Sequence, residues 1–204
     1  MLQEIRLPPE IDDIEIPKRI EQWVADSMSR IEAFQDRWLK TKIEQFVAAD
    51  YRLVYQTLRW IKDQELLIGR AFLEWGSGFA VVSCLATELG FDAVGIESEH
   101  DLLLQGIKTI DQSGAPVQLV QGNFLPPGAE ALAPDTTLPS LGHGGPNGYD
   151  EVDMEIDDFA VIYSYPWPGE GVFHESVFER FAAIGAVLVM FCGPYEMRML
   201  RKVK

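Results

Sequence analysis

Cysteine, cations and long apolar runs are what this sequence has least of. Only two cysteines occur, Cys84 and Cys192, each among apolar neighbours. That excludes a disulfide-built scaffold and fits a reducing compartment. Neither has the spacing of a metal ligand, so both read as small core residues and no metal site is expected. Lys and Arg number 17 against 32 Asp and Glu, for a formal charge of −15. Each phosphate contact calls for a cation, so nucleic acid is disfavoured as the main partner. The exception is the basic stretch at 198–204, which reads as a turn complementing a helix dipole. No segment reaches membrane-spanning length, and residues 1–9 hold no apolar run of a secretory leader. The expectation is a cytoplasmic protein with no membrane contact.

What is present suffices for a core. The 204 residues are 47% apolar, enough for one domain with an appendage. Residues 1–16 carry scattered acids and prolines and read as an extended arm. From Pro17 the pattern turns helical: Ile20, Trp23, Val24, Met28, Ile31, Phe34, Trp38, Ile43, Phe46 and Val47 recur at steps of three and four. The pattern resumes through Tyr51, Val54, Tyr55, Leu58 and Ile61. Residues 17–69 are therefore a segment of two helices with a break, their aromatic stripe a packing surface.

Beyond residue 70 the period shifts. Short apolar runs at 71–73, 93–96, 117–120, 159–163 and 186–191 read as strands. Helical stretches at 80–89, 101–113 and 175–184 lie between them, each followed by Gly90, Gly114 or Gly185. Strands alternating with helices make crossover units and a parallel sheet covered on both faces, here spanning 70–204. The stretch 126–157 breaks the rhythm. It is acidic and rich in Pro and Gly, and reads either as a mobile functional loop or as partly disordered. His143, within it, reads as solvated.

Ligands of an open parallel sheet bind outside the carboxyl ends of its strands. The first strand runs into Glu74-Trp75-Gly76-Ser77-Gly78-Phe79-Ala80, a turn whose glycines permit positive φ and a close approach to main chain. The second ends at Glu97, followed by Ser98, a carboxylate able to grip a sugar diol. The third ends in Gln121-Gly122-Asn123-Phe124, an amide for a base edge beside a ring that can stack. The fourth exits through Tyr163-Ser164-Tyr165-Pro166-Trp167-Pro168, either a catalytic rim or rim packing. Such a set suits a nucleotide-like cofactor.

In order and spacing these motifs resemble the cofactor motifs of class I S-adenosylmethionine-dependent methyltransferases, over roughly residues 70–195. The resemblance implies a doubly wound, mostly parallel Rossmann-like sheet of order 3-2-1-4-5, counting the predicted strands. It implies bound S-adenosyl-L-methionine, with Gly76 and Gly78 against the cofactor and Trp75 and Ser77 in the same turn. Glu97 and Ser98 would lie at its ribose, and Glu74 near its methionine end. Asn123 stands where many members have Asp beside the adenine, next to Phe124. Tyr163 and Tyr165 are the candidate catalytic residues, with Glu170 and His174 as further candidate bases; His174 also reads as a residue capping a helix from Glu175.

Two departures are visible. Members of the family usually add a reversed hairpin after the fifth strand, and no hairpin is expected here, which leaves that strand a sheet edge, exposed unless the N-terminal helices or another subunit, as in a homodimer, cover it. The fourth-strand exit matches the signature of amino-group methyltransferases only loosely, so the methyl acceptor, small molecule or protein, stays open. So does a second reading, a non-catalytic module of the same fold that binds the cofactor or another protein. A nucleotide dehydrogenase is disfavoured because Val81 stands where a third glycine is wanted.

Overall fold

The computed structural model describes residues 1–38, 46–142, 144–194 and 196–204. Ile43 of the helical stripe and His143 of the insert lie outside them. After a first strand, β1 (Leu2–Ile5), come two helices, α1 (Lys18–Trp38) and α2 (Tyr51–Asp63). The start of α2 is set by Asp50, whose carboxylate accepts the N–H groups of Arg52 and Leu53, both at 3.1 Å. Among the described residues no helix is long and apolar enough to cross a membrane.

Five parallel strands follow: β2 (Ala71–Trp75), β3 (Asp92–Glu97), β4 (Gln118–Gln121), β5 (Val161–Ser164) and β6 (Val187–Gly193). They lie in the order β4-β3-β2-β5-β6, the expected doubly wound arrangement, which reverses direction between β2 and β5. Crossovers run through α3 (Val81–Glu88), α4 (His100–Ser113) and α6 (Gly171–Phe181), with short α5 (Gly148–Val152) inside the insert.

The sheet has two strands more than expected. β7 (Glu196–Lys202) pairs antiparallel with β6, and β1 (Leu2–Ile5) pairs antiparallel with β7. The expected sheet edge at the fifth strand is therefore absent: β6 is interior, flanked by β5 and β7. In place of a C-terminal hairpin, the N-terminal arm supplies the last strand. Residues 198–202 of the basic stretch are thus strand rather than turn, with Met199 and Leu200 buried on opposite faces of the sheet. One cation of the stretch still serves a helix end: Lys202 Nζ donates to Ala182 O at 2.6 Å, just past α6.

Side chains alternate between two faces because the pleat has a period of two. One face packs Phe72, Ala93, Val161, Tyr163, Val187 and Val189 under α1, α2 and α3. The other packs Leu73, Trp75, Val94, Ile96, Ile162 and Leu188 under α6 and the insert. The N-terminal helices thus share a core with the sheet. Arg30 of α1 donates to Thr109 Oγ1 at 3.0 Å and to Gln105 O at 3.2 Å, both on α4.

The described residues of the insert are packed against the sheet rather than forming a bare loop. Ala129, Ser140, Tyr149 and Ile156 are buried, and Tyr149 Oη accepts the indole N–H of Trp75 at 2.9 Å. Its docking depends on two glycines. A Cβ on Gly122 would lie 2.7 Å from Gly148 Cα, and one on Gly148 would lie 2.6 Å from Ile96 Cγ2. Only bare main chain allows the insert to sit this close to the ends of β3 and β4.

Candidate functional site

The turn after β2 is held open by backbone conformation. Gly76 and Gly78 have φ of 66° and 53°, and Ala80 also adopts φ of 53° before α3 begins. A Cβ on Gly76 would meet nothing within 4 Å, so its main chain faces open space. Ser77 N–H donates to Ile96 O at 3.0 Å, which ties the turn to the neighbouring strand. Behind it α4 comes close at Gly106, where a Cβ would stand 3.1 Å from Gly78 O.

Glu97 points into the crevice beside this turn. Its carboxylate accepts Gly78 N–H at 2.6 Å and Glu99 N–H at 2.9 Å, and the residue is only 4% exposed. Burial raises its pKa, against the opposing pull of those backbone donors. The expectation that residue 97 sits over the glycine turn matches this geometry.

A cleft of about 840 Å³ opens along the strand tips. Trp75, Gly76, Glu97, Ser98, Glu99 and Leu102 line the end near β2 and β3, and Phe46 and Phe124 the walls. Tyr165, Trp167, Gly171, His174 and Cys192 line the end near β5 and β6, with Ser140 of the insert. Phe124 stacks on Trp75 at 5.5 Å and 21°. Phe46, read from sequence as plain helical packing, instead lies against Gly78 and stacks on Phe79 at 5.4 Å. Cys192 is exposed, unlike buried Cys84, and corrects its reading as a core residue.

Of the residues named from sequence, Trp75, Gly76, Glu97, Ser98, Phe124, Tyr165, Trp167 and His174 meet at the cleft, whereas Glu74, Ser77, Asn123 and Tyr163 do not line it. Glu74 turns to the opposite face, where Oε2 accepts Ser83 N–H at 2.9 Å and the Ser83 hydroxyl at 2.5 Å. It serves the uncapped first turn of α3. Burial raises its pKa to about 8 despite those donors. Tyr163 shares that face: its hydroxyl is buried without a hydrogen-bond partner, and burial holds its pKa well above the usual phenol value. The expectation of Tyr163 as a catalytic group therefore fails on geometry. Ser77 is also buried, against Gly95. Asn123 Oδ1 accepts Leu125 N–H at 2.9 Å, and its backbone bridges to Asn147, so it shapes a turn.

The pleat puts Ser164, not Tyr163, on the cleft side. Ser164 Oγ lies 2.6 Å from His174 Nδ1, and Ser140 Oγ lies 3.2 Å from His174 Nε2. Glu170 accepts Ser140 N–H at 2.8 Å and the Ser140 hydroxyl at 2.5 Å, and stands 3.7 Å from His174 Nε2. Since Ser140 donates to Glu170, the consistent tautomer has Nε2–H donating to Ser140 and Nδ1 accepting from Ser164. Burial pushes Glu170 upward, but hydrogen bonds from His174 and Ser140 outweigh it and leave its pKa below the ordinary value. The helix begins at Gly171, so His174 sits within its first turn, facing inward, and does not precede it as expected.

No protein-family model matches the chain, and no curated protein matches it. Solved structures do. An O-methyltransferase from Bacillus cereus in complex with S-adenosylhomocysteine superposes with a TM-score of 0.53 at 11% identity, covering 88% of this chain and 69% of that one. A methyltransferase from Podospora anserina bound to S-adenosylhomocysteine gives 0.52 at 12% identity, covering 91% and 71%. This chain has the class I methyltransferase fold. The match fits the doubly wound order, with its switch point between β2 and β5. Within this methyltransferase fold the glycine turn and Glu97 stand at adjacent strand ends, where such sheets take ligands. Two residues that sequence reasoning did not single out, Ser140 and Ser164, complete the far end. Ser140 lay in the Pro- and Gly-rich insert, and Ser164 sat beside a more conspicuous tyrosine.

Proposed function

We propose that this protein is a methyltransferase that uses S-adenosylmethionine. One observation carries the reading: the Glu97 carboxylate faces the crevice beside Gly76, whose missing side chain leaves main chain open to a ligand. Glu97 and Ser98 would hold the ribose hydroxyls, Gly76 would lie against the adenosyl group, and Phe124 and Leu102 would offer apolar walls to the base. Bound there, S-adenosylmethionine would supply a methyl carbon whose bond to sulfur breaks as an acceptor lone pair attacks, the electrons staying on sulfur. The chain's own contribution is alignment and exclusion of water, which provides most of the acceleration in such a displacement. An acceptor that begins protonated also needs a base. His174 fits that role by relay: it lines the acceptor end, and an acceptor proton taken by Ser164 Oγ as the Ser164 proton passes to Nδ1 would leave an imidazolium 3.7 Å from Glu170.

Calorimetry with S-adenosylhomocysteine tests the cofactor, and labelled methyl transfer tests the chemistry. Binding with a labelled product supports the enzyme. Binding without product across acceptor pools points instead to a non-catalytic module of the same fold. Folded protein that does not bind at high micromolar ligand rules out both.

A further inference from the structure

The two ends of the cleft differ in chemistry. Near β5 and β6 the wall is Tyr165, Pro166, Trp167 and Pro168, with the Trp75 and Phe124 pair behind. Tyr165 is fixed by an edge contact on Phe191 at 4.8 Å and 83°. The His174 ring meets Trp75 edge-on at 5.5 Å and Phe124 at 5.6 Å, so flat surfaces continue to the floor. Charge among the described lining residues is of one sign. Glu97 and Glu99 line the cleft, Glu170 is buried directly beneath His174, and no Lys or Arg occurs among the described lining residues. A volume of about 840 Å³ for cofactor and acceptor together is that of a small-molecule site.

We infer that the acceptor end takes a small aromatic molecule carrying no negative charge, such as an aryl amine or phenol. Aromatic faces hold a planar ring by offset or edge-on contact, and their negative faces favour a cationic substituent over an anionic one. A carboxylate or phosphate would enter a site with no described cation to meet it, over buried Glu170, and would lose its hydration uncompensated. The described lining thereby disfavours phosphorylated and polyanionic acceptors. The inference rests on the methyltransferase reading for its location, but not for its chemistry.

The test is a series that varies charge on one ring: tyramine (cationic), 4-ethylphenol (neutral) and 4-hydroxyphenylacetate (anionic). Each is titrated by calorimetry into protein saturated with S-adenosylhomocysteine. Tyramine and 4-ethylphenol should each bind at least about ten-fold more tightly than 4-hydroxyphenylacetate. Trp167→Ala should weaken those two by about ten-fold and leave S-adenosylhomocysteine affinity unchanged. Equal or tighter binding of the anion, or no binding of any member while S-adenosylhomocysteine binds, overturns the inference. If S-adenosylhomocysteine itself fails to bind, the functional reading falls. The same charge order is then expected on the protein alone, because the walls belong to the chain.

Discussion

Glu97 serves two purposes with one carboxylate, and substitution should expose both. It holds two backbone N–H groups and, on the proposed reading, the ribose. Glu97→Ala should weaken S-adenosylhomocysteine binding by about 1–3 kcal/mol, the scale for losing hydrogen bonds to a charged group. Calorimetry measures it, and unchanged affinity would refute the ribose assignment. Tyr163 and His174 make a contrasting pair. Tyr163→Phe removes a buried, unpartnered hydroxyl, so the melting temperature should hold or rise and methyl transfer should persist. His174→Asn should lower transfer by about 100-fold with cofactor affinity unchanged. Transfer lost in the first variant and kept in the second would reverse the assignment.

Glu74 makes a prediction about pH. Its folded pKa of about 8 exceeds its ordinary value of 4.5. Between those values the folded state binds the extra proton, so stability falls as pH rises through the window and levels off above about 8. Glu97 is shifted in the same direction. Urea unfolding from pH 5 to 8 should show the slope, and Glu74→Gln should flatten it. An unchanged slope would mean that Glu74 is ionised in the fold. At this scale the sequence was partly legible. Glycines at 76 and 78 announce a turn by their chemistry, and Glu97 follows at the right distance. It could not show which way Glu74 and Tyr163 point, because strand register assigns the face and one position reverses it.

At the scale of elements, the insert depends on main-chain contact at Gly122. Gly122→Ala would place a Cβ 2.7 Å from Gly148 Cα and 2.9 Å from Pro146 O, backbone that cannot yield cheaply. We expect a loss of about 1–3 kcal/mol in stability and faster proteolysis within 126–157. A wild-type melting curve and cleavage rate would contradict the docking. The five parallel strands were legible from their apolar runs, and α3 and α4 from Gly90 and Gly114 at their ends; α6 instead runs from Gly171 to Phe181 and stops before Gly185. The outer strands were not legible. β1 has only four residues and β7 is rich in charge, and what makes them strands is pairing with each other and with β6, a non-local fact. The insert misled in a similar way: its Pro and Gly content suggested disorder, yet Tyr149 and Ser140 anchor it.

At the scale of the molecule, the acidic balance of the sequence has a local counterpart in the cleft, where carboxylates and aromatic rings meet with no described cation. The fold places that cleft across the switch point between β2 and β5, with the glycine turn at one end and His174 at the other. The central claim is that a sulfonium nucleoside spans those two ends. Its most direct test is a crystal structure with S-adenosylhomocysteine. The account predicts ribose hydroxyls on the Glu97 carboxylate, the ligand against Gly76, and its sulfur directed toward Tyr165 and His174. Ligand bound elsewhere, or Glu97 still engaged only by Gly78 and Glu99, would contradict it.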